Sequence, residues 1–345
     1  TILYIKNVPV LWFPYFRFPL TSKRASGLLA PNYGTSDSLG ANISLPIYWN
    51  MAPNYDSISS PIFSGKRGII LNTASRYLTQ SSLGKLTLDI TPNDNAFKST
   101  RRELVAANAG IPRSAAQVQA LQNDSNTRYF INWTDETQIN QHLFTNIQYS
   151  NVSDDYYMEN YFYNPGTDYA LMSQLNQQLT LDYYEKRWRV NVDFQHYNTL
   201  HPLDQADTQN QYSRLPEIDF NSTSGYQPYD IQFSLNASFT DFNKDRNPFD
   251  DTIASPTVGD RINIDPTVSL PLHNNFFFFN PTLQMDLTGY DLNRPNPGAK
   301  NTPTRTLPII DIDSGMYFDK HTKLFGNNYI ETLEPHIYYL YVPYR

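Results

Sequence analysis

The sequence predicts an all-β fold, a transmembrane antiparallel β-barrel with about fifteen strands present in this chain. Three observations lead there. Apolar and polar residues alternate with a period of two, the alternating segments run to roughly ten or more residues, and the connections between them are long and short by turns. The clearest segment lies within residues 229–242, where Ile231, Phe233, Leu235, Ala237 and Phe239 interleave with Gln232, Ser234, Asn236, Ser238 and Thr240. Trp188, Val190, Val192 and Phe194 alternate in the same way with Arg189, Asn191, Asp193 and Gln195. Strands of about ten residues cross a bilayer at a tilt, whereas those of soluble sheets usually have about five or six. The expected arrangement turns Ile231, Phe233, Leu235 and Phe239 to lipid, and Gln232, Ser234, Asn236 and Arg189 to a wet lumen.

Taken in order, the first strands are expected at residues 27–33, 39–49, 55–63, 68–79 and 85–91. Further ones follow at 128–135, 139–150, 169–183, 186–196, 215–222 and 229–242, and the last four at 261–272, 276–290, 307–318 and 330–341. Long connections are 92–127, 151–168, 197–214, 243–260 and 291–305; short ones surround Glu136, Glu185, Gly225 and His273. Ser114-Ala115-Ala116-Gln117 fits a capping box, so a short helix is expected in the first long connection. Outer-membrane barrels carry short periplasmic turns and long extracellular loops, and that parity puts Gly27 at the periplasmic rim. An odd number of strands cannot close an antiparallel barrel, so more strands are expected in the complete protein.

Composition narrows the classes. The 345 residues are 40% hydrophobic and 14% aromatic against 17% charged, too aromatic for a disordered chain. No apolar run reaches the roughly eighteen residues that a membrane helix requires. A mean hydropathy of -0.53 suits strands that bury only alternate residues. A net charge of -7 and the lack of a basic stripe argue against nucleic acid. There is no cysteine, so neither a disulfide nor a thiolate metal site can form within this stretch. Without an initiator Met or a basic, then apolar, leader at its start, the chain reads as a mature or internal fragment.

Several motifs are long and of mixed chemistry. Lys6-Asn7-Val8-Pro9-Val10-Leu11-Trp12-Phe13-Pro14-Tyr15-Phe16-Arg17-Phe18-Pro19 leads through Lys23-Arg24-Ala25-Ser26-Gly27 into Leu28-Leu29-Ala30-Pro31-Asn32. Leu45-Pro46-Ile47-Tyr48-Trp49-Asn50-Met51-Ala52-Pro53-Asn54-Tyr55-Asp56 follows, then Lys66-Arg67-Gly68 and Arg76-Tyr77-Leu78. Near the end stand Thr332-Leu333-Glu334-Pro335 and Tyr339-Leu340-Tyr341-Val342-Pro343-Tyr344-Arg345. In this order, over the whole chain, they resemble the LptD family of lipopolysaccharide-assembly proteins.

The resemblance implies that residues 1–22 end a periplasmic β-jellyroll and that 23–345 form the N-terminal portion of a larger barrel of about 26 strands in the Gram-negative outer membrane, with a periplasmic N-terminus. It implies lipopolysaccharide as cargo, received through the jellyroll from a periplasmic lipopolysaccharide-bridge protein and released through a lateral gate to the outer leaflet. An LptE-like lipoprotein plug would fill the lumen. Membrane lipid is the other contact, and no enzymatic activity or cofactor is implied. The family's paired cysteines fall outside the matching stretch, and residues 92–127 depart most from its pattern.

Proline lacks the amide hydrogen of a ladder bond, so Pro31 in the first expected strand and Pro46 in the second should weaken pairing near the barrel seam. The alternative is that they only form bulges, as prolines recur at Pro266, Pro281 and Pro335. The family has its lateral gate at the first two. Trp12, Phe13, Tyr15, Phe16 and Phe18 suit either a lipid path at the jellyroll–barrel junction or a plain jellyroll core, since both take the same residue types. The other Tyr and Trp read as interfacial girdle. His142, His196, His201, His273, His321 and His336 show no metal-ligand spacing and are expected to be solvated or lumen-facing. Asp311 with Asp313, Asp154-Asp155 and Asp250-Asp251 could pair for acid–base work or bind a cation, but solvated charge is the expectation. No catalytic residue or metal site is therefore assigned. A porin or nutrient-uptake channel, and an outer-membrane hydrolase, would share the barrel pattern without needing the upstream aromatic module or both early prolines.

Overall fold

Cross-strand partners in an antiparallel sheet point to the same face, so the registers decide whether alternation in sequence becomes two continuous faces in space. The computed structural model describes residues 2–5, 8–12, 24–108, 115–162, 173–203, 209–223, 231–245, 256–293 and 298–344. In chain order the first strands are β1 (Ile2–Ile5), β2 (Val8–Trp12), β3 (Gly27–Leu28), β4 (Asn32–Ser36), β5 (Gly40–Ser44), β6 (Ile47–Ala52), β7 (Tyr55–Ser64), β8 (Gly68–Leu78) and β9 (Ser82–Thr91). After helices α1 (Asn95–Asn108) and α2 (Ala115–Asn123) come β10 (Arg128–Gln138), β11 (Leu143–Val152), helix α3 (Tyr157–Phe162), β12 (Gln174–Tyr184), β13 (Trp188–Thr199), β14 (Ser213–Thr223) and β15 (Gln232–Asn243). The series ends with β16 (Val258–Ser269), β17 (Leu272–His273), β18 (Phe277–Asn293), β19 (Thr304–Met316), β20 (Phe318–Leu324), β21 (Asn327–Leu333) and β22 (His336–Tyr341).

One apolar row runs Leu181, Val192, Ile218, Phe239 and Ile262 across five neighbouring strands. The adjoining row runs Asp182, Asn191, Asp219, Ser238, Asn263, Thr288 and Arg305 across seven. The apolar row lies toward the open side: Ile218 and Ile262 are exposed, as are Phe194, Phe233 and Leu283, while Asp193, Gln195, Thr240 and Thr288 are buried. That inverts the pattern of a water-soluble sheet and matches a barrel with an apolar exterior. Polar groups of this face bond one another: Gln178 Nε2 and Thr180 Oγ1 both donate to Asp193 Oδ1 (2.7 and 2.8 Å). Arg189 likewise pairs with Asp182, Arg214 with Glu217, and Arg305 with Asp286.

The main sheet is antiparallel throughout and has the strand order of a closed barrel, β3 to β19 with β22 returning toward β3. Registered ladders link the first strand, made of β3 and β4, stepwise to β22; among the described residues no register is defined between β22 and β3. Among the described residues β1 and β2 pair with each other, Ile2 opposite Trp12, in a separate two-stranded sheet. The two described clusters of buried apolar side chains lie at the end of the long connections. One joins Val152, Tyr157, Leu175 and Leu200; the other joins Phe97, Leu121 and Tyr156.

The structure departs from the sequence reading in several places. The strand expected at 27–33 is two, β3 and β4, and that at 39–49 is also two, β5 and β6, because Pro31 and Pro46 interrupt both ladders. Residues 319–329, expected as a connection, form most of the β20–β21 hairpin, which prolongs the β19–β22 pair past the Met316 N to Pro335 O bond (3.0 Å). Glu136 lies inside β10 and the turn falls at 139–142, since the polar run Thr134 to Gln138 pairs with β11 instead of turning. The connection 92–127 carries two helices. α2 begins at Ala115, beside the expected capping box, whose Ser114 is outside the described residues. α1 was not expected; Asp94 caps it by accepting from Phe97 N (3.0 Å), and Phe97 is buried. Residues 169–172, Gly225 and Asp250-Asp251 also lie outside the described residues.

Candidate functional site

The first two strands meet across a slipped register. Gly27 and Leu28 lie opposite Tyr48 and Ile47, and continuing that register would place Asn32 opposite Ile43; it lies opposite Ser44 instead. Pro31 and Pro46 flank this one-residue slip, which is a β-bulge. Leu29 N donates to Pro46 O (2.8 Å), and Leu45 N donates to Pro61 O (3.0 Å). Residues of an antiparallel pair that exchange hydrogen bonds normally exchange two. Here the return bond is impossible twice, because residues 46 and 61 are proline. Pro61 was not singled out from the sequence. Its signal was present: Pro31, Pro46 and Pro61 stand fifteen residues apart. The same half-made pair occurs between Leu270 N and Pro281 O (3.1 Å), so the local geometry is not peculiar to the first strands.

Below the slip, on the side of the short turns, the first strand is held by polar contacts. Asn50 N donates to Ser26 Oγ (2.8 Å) and Asn50 Nδ2 to Arg24 O (3.1 Å). Asp56, buried, accepts from Arg76 Nε (2.8 Å), Arg76 Nη2 (2.7 Å) and Tyr48 Oη (3.1 Å), and Arg24 Nη1 stands 3.6 Å away. β6 is thereby bound to β7 and β8.

Above the slip, the tip of the first hairpin is clasped by the turn that follows β7. Ser64 Oγ and Lys66 N donate to Leu39 O (2.5 and 3.2 Å), Lys66 Nζ to Asp37 O (2.7 Å), and Arg67 Nε to Ser38 O (2.9 Å). Arg67 is 5% exposed, and its other donors reach the long connections: Nη1 to Asp94 Oδ2 (2.6 Å) and Nη2 to Asn160 O (3.3 Å). Arg128, fully buried, donates to Asp94 Oδ2 (3.0 Å), Asn160 Oδ1 (2.9 Å) and both oxygens of Asp154 (2.8 and 2.7 Å). The Arg67 guanidinium lies 4.6 Å from the Tyr161 ring centroid, and that of Arg128 4.2 Å from the Phe97 ring.

Burial alone would raise the Asp94 carboxyl, but Phe97 N–H and the two guanidiniums outweigh it and hold it below the ordinary carboxylate range. Burial, then Asp154 and Asp155, push Asp124 up to about 6. Burial also pushes the Tyr161 hydroxyl up to about 12. Asp124, Asp154 and Asp155 share a cavity of about 220 Å³ with Gln117, Tyr156 and His201. Asp154 is thus a buried ion-pair member, not the solvated loop charge expected from sequence. His201, expected solvated or lumen-facing, is buried, with Nε2 2.7 Å from Asn210 Oδ1.

Of the residues predicted for a lipid path, Trp12 ends β2, while Phe13, Tyr15, Phe16 and Phe18 lie outside the described residues. Asp313 sits beside His336 on the polar face, paired across β19 and β22.

A long-stranded antiparallel barrel with polar residues turned in and apolar residues turned out defines a protein of the outer-membrane class. The LptD family, described as LPS transport system D, matches residues 126–345. The chain belongs to that family. It is 36% identical over 354 residues to the LPS-assembly protein LptD of Coxiella burnetii, covering 100% of this chain and 40% of that protein. The Legionella pneumophila protein of the same name, from strain Philadelphia 1, is 33% identical, over 99% of this chain and 40% of its own length. That of Nitrosomonas eutropha is 32% identical, over 99% and 42%. The chain therefore spans about two fifths of these relatives. A bacterial polysaccharide outer membrane secretin overlays with a TM-score of 0.32 at 10% identity, over 88% of this chain and 89% of that one, a likeness too loose to bear on the fold.

Proposed function

We propose that this chain is the N-terminal part of the barrel that delivers lipopolysaccharide to the outer leaflet of the Gram-negative outer membrane, through a lateral gate at its first strands. The observation that carries this reading, beyond family membership, is the slipped and proline-interrupted pairing of the first two strands. Lipopolysaccharide has acyl chains that belong on the apolar face and sugars that belong on the polar one. A sideways opening lets each stay in its own medium, whereas a closed wall would drag one part through the other's. No bond is made or broken, so the barrel serves as a conduit and not as an enzyme.

In this reading residues 1–22 end a periplasmic jellyroll and 23–345 belong to the barrel. Trp12, Phe13, Tyr15, Phe16 and Phe18 lead lipid from a periplasmic bridge protein toward Pro31 and Pro46, and an LptE-like lipoprotein plugs the lumen. The N-terminus and the short turns face the periplasm; the long connections face out.

The test is Pro31→Ala with Pro46→Ala in the full-length protein, against Pro266→Ala with Pro281→Ala. Pro281 has the same half-made pair far from the first strands, which makes the control stringent. Restoring up to about two ladder bonds adds roughly 1 to 3 kcal/mol of pairing, enough to shift an opening equilibrium by about tenfold to a hundredfold. The first pair should slow the appearance of new lipopolysaccharide at the cell surface and sensitise cells to large hydrophobic antibiotics; the second should do neither. Equal behaviour would leave the prolines as bulge formers. Normal lipopolysaccharide delivery without the full-length protein would favour a porin.

A further inference from the structure

The polar contacts around the first hairpin fall into two groups separated by the slip, and only one of them leads elsewhere in the molecule. On the short-turn side, Asn50 and Asp56 tie residues 24–28 and β6 to their immediate neighbours. On the other side, β4, the turn 37–39 and β5 are held to the sheet by a three-residue ladder, Asn42 to Ser44 opposite Ser64 to Ile62, and by the clasp of residues 64–67 on Asp37, Ser38 and Leu39. Arg67 is the member of that clasp that reaches beyond it. Its guanidinium holds Ser38 O with one nitrogen while the other two hold Asp94 and Asn160, which belong to the long connections after β9 and β11. Asp94 is itself fixed by Arg128, and Arg128 by Asp154. A carbonyl at the tip of the first hairpin is thus wired to a buried ion-pair cluster through one side chain.

We propose that Arg67 is the latch of the gate: the β4–β5 hairpin is the leaf that moves when lipid leaves, the proline-marked slip is its hinge, and the Asp94–Arg128–Asp154 cluster is the fixed post to which Arg67 fastens its tip. This rests on the lateral-gate reading above and adds which part of the wall moves and what holds it shut. The geometry suits the role. A latch needs a few strong, directional bonds that break together, and Arg67 supplies a rigid fork with a single covalent attachment, in the turn after β7 and outside the leaf. The hinge end needs a backbone that bends without losing many bonds, and there the ladder already lacks two.

The experiment uses the full-length protein in two arms. Asn42→Cys with Ser64→Cys places two thiols at directly opposed positions of β5 and β7, so oxidation staples the leaf. Ile58→Cys with Ala74→Cys staples β7 to β8, where no movement is expected. The oxidised first pair should lower lipopolysaccharide delivery by about tenfold or more, with recovery on reduction, and the second should leave it unchanged. Recovery on reduction shows that the stapled barrel was folded. In the second arm, Ser38→Cys is labelled with a water-soluble maleimide in purified protein, with Arg67 intact and as Arg67→Gln. Loss of the latch should speed labelling by about tenfold. An oxidised Asn42–Ser64 staple without effect, or a labelling rate indifferent to Arg67, overturns the latch. If the staple is silent while Pro31→Ala with Pro46→Ala still slows delivery, the gate stands and only the leaf is misplaced. If both are silent, the gate reading itself fails.

Discussion

Asp94 and Asp124 lie within one stretch of the rim, yet their environments push them in opposite directions, and that sets a pH dependence. Asp94 is held below the ordinary carboxylate range, so the stability it confers is present above its unfolded value of 3.8 and is lost as pH falls through its lower folded value. Asp124 is pushed up to about 6 by burial and by Asp154 and Asp155, so between about 4 and 6 the folded rim binds more protons than the unfolded chain. Its contribution therefore falls as pH rises through that window and is flat above it. The rim should be tightest in mild acid and looser at neutral pH. Asp124→Asn removes the repulsion and should recover about 1 kcal/mol at neutral pH, well under the full value of the shift because Asp124 is partly solvated. Amide hydrogen exchange of α2 at pH 5 and pH 7.5, corrected for the intrinsic rate, reads this directly. Protection in the parent that does not weaken between the two values, or a variant with unchanged protection at pH 7.5, would remove Asp124 from the account.

Two glycines decide how individual strand pairs close. A Cβ at Gly84 would stand 2.1 Å from the Tyr77 ring, which lies flat across this opposed residue, and a Cβ at Gly315 would stand 2.4 Å from the Phe278 ring. An aromatic ring folded over a cross-strand glycine fills the space that the missing side chain leaves and fixes the register of the pair. Tyr77 in that position reaches Asp135 and accepts from Trp133 Nε1 (3.1 Å), so β8, β9 and β10 are pinned together on the face that carries the Leu181–Ile262 row. Gly84→Val should displace the ring, cost about 1 to 3 kcal/mol and slow refolding into detergent, whereas Gly27→Val, with nothing within 4 Å of its Cβ, should refold as the parent does. Equal refolding rates would show that the ring has room to move. At this scale the sequence was most legible where a strand is long and unbroken: the centres of β13, β15 and β16 follow from period-two alternation alone. It was least legible where a side chain's partner is far along the chain. Arg67 stood in a recognised motif, yet nothing in Lys66-Arg67-Gly68 points to Asp94 or Asn160. α1 was hidden because its buried residue, Phe97, is enclosed by α2 and the 153–156 turn, neither of which a local pattern can foresee. Pro31 and Pro46 were legible as ladder breaks, but the one-residue slip between them is a property of two strands, not of either proline.

For the molecule as a whole, the inversion of burial is the feature from which the others follow. A water-soluble sheet of this size would turn the Leu181–Ile262 row inward and solvate the Asp182–Arg305 row; here the polar face is the crowded one, and the charges at the ends of that row are neutralised by neighbours on the same face, Asp182 by Arg189 and Arg305 by Asp286. The exposed apolar row is stable only against hydrocarbon, where exposure to lipid carries no hydrophobic penalty. Adjacent residues of one strand should therefore respond oppositely to the same substitution. Phe239 lies in the apolar row and Ser238 in the polar one, opposite Asn263. Phe239→Arg puts a charge on the lipid face and should cost about 2 to 4 kcal/mol toward the bilayer midplane, less near an interface. Ser238→Arg adds a cation to a face already built from Asp219, Asn263 and Thr288 and should be tolerated within about 1 kcal/mol. Refolding of the full-length protein into liposomes, followed by denaturant titration, compares the two. Cysteines at the same positions give a second reading: a water-soluble maleimide should modify position 238 and spare position 239, while a lipid-soluble reagent should do the reverse. A barrel that takes up Phe239→Arg as readily as Ser238→Arg would have its faces the other way round, and the polar row could not then be the lining of a wet lumen.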